Sequence, residues 1–560
     1  ASPAHEAPGG DAQAGAGADA EATVHLAPVQ EVIPHTAPVA PTPDYAPMAA
    51  WATLLDALPK PGASDGRLAI SGQFAGGGAP PGAALTYADL RRALGHSSWD
   101  RLRGSHCVAL ALPPGHDCAL ALLCILARAR CAPQEPSLTE NEAAFALQQV
   151  GADVAVLAPG NALGVDSAAT GMGIEVVVPV VERDAAGTAV LSLPPCSSES
   201  CAALLARRLP RSGQLAVAND VVLCLRTSGT TGAPKVTPLR LGQVVDGARL
   251  IAAAAGLTSA DVCLNAMPLF HVGGIASSLL GPLLSGGAVV CLDQPFEPQH
   301  FLKQLVACGA TWYYGSPSIH HALLAALEAN GAAGALPTLR LIRSAAAALP
   351  PALHTRLEDT FRCAVHETYG MTECMPVAAP LWHESACGRP QPLGSVGRVI
   401  GPEVVIDHGE VMLRGDLVMR GYVGLDSGWV GTERGCTKGG LFPTGDNGHI
   451  DRQGFLWLTG RRRQVIKQGG DALAPAELEE ALAQHPAVAE VAAFAVPHAV
   501  LGEAVAAAVR LSKERADVDA AALVPLASEV AARLPAGRRP LLVAFLPCLP
   551  RTAAGKVQRS

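Results

Sequence analysis

Aromatic side chains are scarce in this chain, with six Trp, six Tyr and ten Phe in 560 residues, although hydrophobic residues make up 49% of it. Much of that apolar content is alanine, so a core built on large rings is not expected. Ala-rich helices packed on sheets, with Leu and Val filling the interior, fit the composition better. No long basic block occurs, and 41 Lys and Arg against 49 Asp and Glu leave a net charge of −8. That balance speaks against a nucleic-acid partner bound through a phosphate-neutralising face. The fifteen cysteines are scattered from Cys107 to Cys548 without a single C-x-x-C pair. Neither a disulfide framework nor a zinc site is expected; they read as buried free thiols in a reducing compartment. The expected location is cytoplasmic, with peroxisome and plastid left open; no S-K-L ending is present. Long apolar runs are also missing: Cys118 to Ala127, the longest in the first quarter, is closed by Arg128 and falls far short of a bilayer span. There is no secretory h-region near the start. The chain opens on Ala1 rather than Met, which suits a processed chain or a piece of a longer one.

At 560 residues two or more domains are expected. Residues 1–45 are rich in Ala, Pro, Gly and acidic side chains, with little apolar periodicity. Such a segment buries too little surface to offset its ordering entropy and reads as a disordered tail. From Trp51 the pattern is globular. "HCVALALPP" reads as a buried strand and "DCALALLCILARAR" as the helix after it; "ADVAVLA", "IEVVVPVV" and "DVVLCLR" read as further short strands. "FALQQV" and "QVVDGARLIAAAAG" are helical stretches between them. Strands alternating with helices predict an α/β fold on mostly parallel sheets. A second composition shift near Gly460, "LTGRRRQVIKQGGDALAPAELEEAL", leads into a helix at Pro475 to Leu482. The expected division is a large domain over 46–462 and a small C-terminal domain over 463–560.

The segments that carry chemistry follow in order. Thr227-Ser228-Gly229-Thr230-Thr231-Gly232-Ala233-Pro234-Lys235 comes directly after the apolar run "DVVLCL". Small hydroxyl and glycine residues let backbone N–H groups approach phosphate oxygens, and Lys235 adds a cation. A Gly/Ser/Thr surface turn would have the same composition. It is not the G-x-x-x-x-G-K-[ST] loop, because Lys235 follows Pro234 and precedes Val236, and a plain phosphate-loop NTPase is thereby excluded. "HETYGMTE" (His366 to Glu373) places an aromatic ring, a hydroxyl and a carboxylate close together. "FPTGD" (Phe442 to Asp446) ends in an acid suited to a ribose diol, and "GRRRQVIKQGG" and "PRTAAGKVQR" complete the set. Each is weak alone; five in this order over more than 300 residues are not.

With these segments the chain resembles the acyl-adenylate-forming superfamily of acyl-CoA synthetases, firefly luciferase and nonribosomal peptide synthetase adenylation domains. The likeness runs from about residue 50 to 560 and includes "LTYADLRRAL" near residue 85. It implies a large N-terminal domain of layered α/β subdomains, a small mobile C-terminal lid, and an active site between them. It further implies ATP and Mg²⁺ as cofactors. Thr227 to Lys235 would fold over the ATP phosphates. Tyr369 would stack on adenine, Thr372 would contact phosphate and Glu373 would bind Mg²⁺. Asp446 would hold the ribose hydroxyls with Arg461 assisting, and Lys556 would bridge the carboxylate and the α-phosphate. The hinge position falls at Arg463, where the family usually has Asp or Lys.

For the acid, "MPLFHVGGI" resembles the segment that gates the acyl pocket, which makes His271 the candidate gate. Amino-acid-activating relatives usually carry Asp after the Phe; here His271 follows Phe270, which argues against an α-amino acid. "ATWYYGSPSIHHALL" and "LRLIRSAAAALPP" look closest to plant and fungal oxalate–CoA ligases and their short-chain relatives. That likeness puts Ser316, His320 and Ser344 near the acid and makes a small carboxylic acid such as oxalate the expected substrate. His271, His320 and Arg343 are available for a second carboxylate. Ser344 to Ala348 replaces the usual Gly-rich segment, and its methyls would narrow the pocket. The thiol acceptor is CoA, or alternatively the phosphopantetheine of a carrier protein if the chain is a loading domain. A non-catalytic relative that only binds nucleotide or acyl-AMP is the reading from another class; retention of Glu373, Asp446 and Lys556 together speaks against it.

Overall fold

The structure, a computed structural model, describes residues 52–558 apart from 63–64, 73–83, 104, 159, 161, 184–188, 195–214, 228–234, 330–337, 424–439, 469–470, 513–514, 516–519 and 552–556. The tail expected over 1–45 lies outside the described residues, as do Ser228 to Gly232 and Lys556.

The fold is α/β, with a larger N-terminal and a smaller C-terminal part. One seven-stranded sheet runs, in spatial order, Ala364–Glu367, Leu341–Ser344, Trp312–Gly315, Val262–Asn265, Ala288–Cys291, Leu68–Ser71 and Leu85–Thr86. All its neighbours are parallel except the last pair. A second sheet of six strands, Lys235–Arg240, Val221–Thr227, Cys131–Pro133, Val108–Ala111, Val154–Leu157 and Glu175–Val177, is parallel apart from its terminal hairpin. Strands such as Val108–Ala111 are buried at every position, as a run covered on both faces must be. The helix His116–Leu126 has nine buried residues in succession and shares one core with Ile70 and Val289 of the first sheet and Val108 and Leu110 of the second. A helix apolar all round has no solvent face to offer, so it lies sandwiched between layers. Helices Tyr87–Gly95 and Glu140–Val150 begin at Thr86 and Thr139, each closed by a capping box with Asp89 or Glu142.

The prediction of mostly parallel sheets misses a third layer. Strands Tyr369–Met371, Cys374–Ala379, Ser395–Val399, Phe455–Arg461, Phe442–Ile450, Glu410–Arg414 and Glu403–Asp407 form a seven-stranded antiparallel sheet. Several of its connections are tight turns rather than helical crossovers. At His408-Gly409 both residues have positive φ, 47° and 81°, the backbone that a two-residue hairpin twisting with its strands requires.

After Arg461 the chain enters a smaller sheet of Asp471–Leu473, Ile466–Gln468, Gly502–Leu511 and Val488–His498, with Leu542–Phe545 parallel to Gly502–Leu511. Helix Pro475–Ala483, predicted from the sequence, packs on it, and a separate core of Ile466, Leu478, Leu482, Val505, Val509 and Val530 holds this part together. Among the described residues no helix is long and apolar enough to cross a membrane. Among the described residues twelve cysteines are free thiols, seven of them buried outright between Cys107 and Cys291.

Candidate functional site

Parallel strands all present their carboxyl ends on one edge, and the segments following those ends converge there. In the first sheet that edge carries Asn265, Gly315, Ser344 and Glu367. His271 follows the first of these, Ser316 and His320 the second, and Tyr369, Thr372 and Glu373 the last. The predicted residues are therefore gathered by topology, although His271 and Glu373 stand more than a hundred residues apart.

Two hydrogen-bonded clusters sit on the third-sheet side. In the first, the Tyr369 hydroxyl donates to Asp446 Oδ2 at 2.6 Å, and Arg461 Nε lies 2.9 Å from Asp446 Oδ1. Asp446 and Arg461 are register partners on adjacent strands, so the pair is fixed by the ladder rather than by side-chain chance. The Asp446 N–H donates to Thr444 Oγ1, and Thr444 in turn donates to the Val411 carbonyl at 2.7 Å. Burial, together with the adjacent carboxylate, pushes the Tyr369 phenol well above its ordinary range, so it stays a donor.

The second cluster joins the ends of the Thr227–Lys235 hairpin to the "YGMTE" segment. Thr372 and Glu373 form the tip of the hairpin closed by Met371 and Cys374. Glu373 is buried, and the Tyr422 hydroxyl donates to its Oε1 at 2.7 Å. Lys235 Nζ stands 4.5 Å from the centroid of the Tyr422 ring. The backbone of Val423 donates to Val236 at 3.0 Å, which ties the two segments together. Thr227 and Lys235 are directly paired across their strands, and the residues between them lie outside the described residues. Tyr422 was not legible in the sequence: 49 residues separate it from Glu373, and a lone Tyr after an Arg-Gly carries no spacing signal.

The acid-side candidates are arranged differently. His320, fully buried, shares a hydrogen bond with the Tyr313 hydroxyl through Nδ1 at 3.0 Å, and burial lowers its pKa to about 3, so the ring is neutral. Its Nε2 and the Ser344 hydroxyl are buried without a hydrogen-bond partner among the described residues. Ser316 is buried, with its hydroxyl 3.4 Å from that of Ser318. A Cβ on Gly315, the register partner of Ser344, would come within 3.1 Å of the His320 ring, which places His320 on the Ser344 face of the sheet. Arg343, one residue earlier, faces the other way: its guanidinium lies 5.8 Å from the Tyr314 ring, with Nη1 donating to Ser277 at 3.4 Å. His271 leads into the segment whose Ser277 meets Arg343 on that second face. It opens the helical segment Gly274–Leu280 and rests against Phe270, ring centroids 4.7 Å apart. Two residues on, a Cβ at Gly273 would fall 2.8 Å from the Tyr314 ring. The available groups thus divide between the faces instead of forming one set. Arg463 is exposed, in the turn between the third sheet and the smaller one.

The donor sets suit the groups that the segments imply. A buried carboxylate, Glu373, held by the Tyr422 hydroxyl, offers an oxygen to a hard cation that keeps phosphate oxygens as its other ligands. Asp446, held by Tyr369 and Arg461, offers a second oriented acceptor for a diol.

Comparison with known proteins gives the class. The AMP-binding enzyme family matches residues 82–423, and the AMP-binding enzyme C-terminal domain matches 477–556. The chain belongs to this family and is an AMP-forming acid–thiol ligase of the acyl-CoA synthetase type, with ATP, Mg²⁺ and CoA as cofactors. Among curated relatives, a probable CoA ligase from Humulus lupulus is 31% identical over 494 residues, covering 85% of this chain and 90% of that protein. An oxalate–CoA ligase from Arabidopsis thaliana is 31% identical over 475 residues, covering 81% and 87%. Among solved structures, ATP-bound MatB from Rhodopseudomonas palustris superposes with a TM-score of 0.68 at 24% identity, over 88% of this chain and 94% of that one, a likeness of fold.

Proposed function

We propose that the chain activates a small, polar carboxylic acid of the oxalate class as its acyl-AMP and passes the acyl group to CoA. The observation that carries this reading is a pair of buried polar groups, Ser344 Oγ at a strand end and His320 Nε2 in the helix Pro317–Ala329, without hydrogen-bond partners among the described residues. A buried polar group without a partner costs roughly 1–3 kcal/mol, so such groups persist where a ligand completes them. In the tautomer that has Tyr313 donating to Nδ1, the neutral ring carries its proton on Nε2, and both groups are donors for carboxylate oxygens. Donors of this kind suit a polar acid better than an alkyl chain, and a curated relative of this chain is an oxalate–CoA ligase.

In this reading one acid oxygen attacks the α-phosphorus of ATP, an O–P bond forms, and pyrophosphate leaves. Two anions must approach each other, so preorganised positive charge decides the rate. Lys556, outside the described residues, supplies that charge from the C-terminal part; Lys235 and the backbone of Ser228 to Gly232 hold the β- and γ-phosphates. Mg²⁺ at Glu373 would neutralise phosphate charge. Tyr369 covers the adenine and Asp446 with Arg461 fixes the ribose. Thr372 adds a phosphate contact, His271 gates the acyl side, and Ser316 lies beside the acid. The CoA thiol, on losing its proton, then attacks the acyl carbon, and AMP leaves. Arg463 marks the hinge about which residues 463–560 turn between the two steps, with 46–462 as the fixed part. Buried free thiols suit a reducing compartment such as the cytoplasm.

The test is incubation with ATP, Mg²⁺ and a panel of acids, with and without CoA, with products identified by mass spectrometry. Oxalyl-CoA with release of AMP is the expected product. An acyl-AMP that never reaches CoA would move the acceptor to a carrier protein, and a different acid would overturn the substrate. The absence of any AMP-linked product from the panel would overturn the proposed acid class.

A further inference from the structure

Arg551 joins the C-terminal part to the edge of the first sheet. Its Nη1 donates to Ser318 Oγ at 3.0 Å, and its Nη2 donates to Glu490 Oε2 at 2.8 Å. Glu490, on strand Val488–His498, is also held by Arg510 of the neighbouring strand at 3.0 Å. These charges hold the Glu490 carboxyl below its usual range, and it stays ionised. Ser318 stands in the first turn of helix Pro317–Ala329, and its hydroxyl is 3.4 Å from that of Ser316. The chain Glu490–Arg551–Ser318–Ser316 therefore runs from the C-terminal sheet to the acid side of the site. Arg551 also pairs with Val557 as an antiparallel bridge, and Gln558 N–H donates to the Pro550 carbonyl at 2.9 Å. Arg551 thus closes the base of the segment that contains Lys556.

The two halves of this chain differ in kind. Glu490, Arg510 and Arg551 all belong to the C-terminal part and travel together. One bond that crosses to the N-terminal part runs from Arg551 to a neutral hydroxyl. Breaking it leaves the guanidinium still paired with its carboxylate, so release creates no uncompensated charge. That is the arrangement of a reversible contact.

We propose that Ser318 is a positioning residue that docks Arg551, and with it the base of the Lys556 segment, for the acid-activating step and not for the thiol step. The inference rests on the adenylation reading above. A hydrogen bond to a charged group of this exposure is worth about tenfold in a rate. Ser318→Ala is expected to slow acyl-AMP formation about tenfold while thioester formation from supplied acyl-AMP and CoA keeps the wild-type rate. Ser318→Thr, which retains the hydroxyl, is expected to restore the wild-type ratio of the two steps. Equal slowing of both steps by Ser318→Ala, or slowing of neither, overturns the proposal. Amide hydrogen exchange of the full chain, read by mass spectrometry over 316–329 and 488–498, gives an arm independent of activity. Exchange there rises in Ser318→Ala if the contact docks the two parts, and unchanged exchange sinks the idea. If the wild-type protein forms no acyl-AMP from any acid, the adenylation reading fails by itself, and the exchange arm still decides the docking.

Discussion

The proposed nucleotide side and the proposed acid side of this site are built on opposite principles. Around Asp446 and Glu373 each carboxylate already has its partners, with Tyr369, Arg461 and Tyr422 in place within 2.6 to 2.9 Å. Around Ser344 and His320 the polar atoms are buried and lack partners among the described residues. Preorganised dipoles suit the part of the reaction that never changes, the handling of ATP. Unsatisfied donors suit the part that must discriminate, because a site that misses its ligand keeps its penalty. The contrast assigns specificity to the acid side, and it can be tested on each side.

The largest effect is expected from Lys556→Ala, a loss of about 10²–10³ in acyl-AMP formation with the thioester step from supplied acyl-AMP largely intact. Single-turnover assays of the two steps separate them, and equal losses would remove Lys556 from its role. Next comes Glu367, which sits at a strand end between the two sides and accepts from Leu349 N–H at 2.8 Å. Burial raises its carboxyl from the usual 4.5 to about 7. Between those values the folded protein binds more protons than the unfolded chain. Its contribution to stability is then full below about pH 4.5 and declines as pH rises through 7, by roughly 3 kcal/mol in total. Glu367→Gln keeps the acceptor and removes the charge, so its unfolding midpoint should overtake that of the wild type between about pH 5 and pH 8. Parallel curves would contradict the assignment.

A smaller effect, about tenfold in KM for the acid with KM for ATP unchanged, is expected from Ser344→Ala or His320→Ala. An equal rise in both constants would erase the contrast between the sides. The smallest is Tyr422→Phe, which removes one hydrogen bond to Glu373 and keeps the ring beneath Lys235. A few-fold rise in the Mg²⁺ requirement at unchanged KM for the acid is the expected outcome, and an effect on the acid instead would place Tyr422 on the wrong side.

Much of the fold was legible in the sequence. Strands such as Val108–Ala111 and Val154–Leu157 and helices such as His116–Leu126 stand where apolar runs predict them, because complete burial leaves an unbroken apolar record. The antiparallel layer was missed, since its half-buried strands between Phe442 and Arg461 are rich in Gly and polar residues and show no clean alternation. Within the acid side, Arg343 and Ser344 looked like neighbours serving one ligand. Strand geometry sends them to opposite faces.

Local chemistry is written in the chain itself: a hydroxyl and a carboxylate at a hairpin tip in Thr372-Glu373, a lysine closing a Gly/Thr-rich turn, and the order of the segments. These depend on residues a few positions apart, whose relative placement the backbone dictates. The partnerships, by contrast, come from the folded arrangement. Tyr369 meets Asp446 across 77 residues, Tyr422 meets Glu373 across 49, and Arg551 meets Ser318 across 233. Such pairs depend on which strands lie side by side and in what register, and burial of the whole core sets that arrangement, with no trace in the spacing of any one segment.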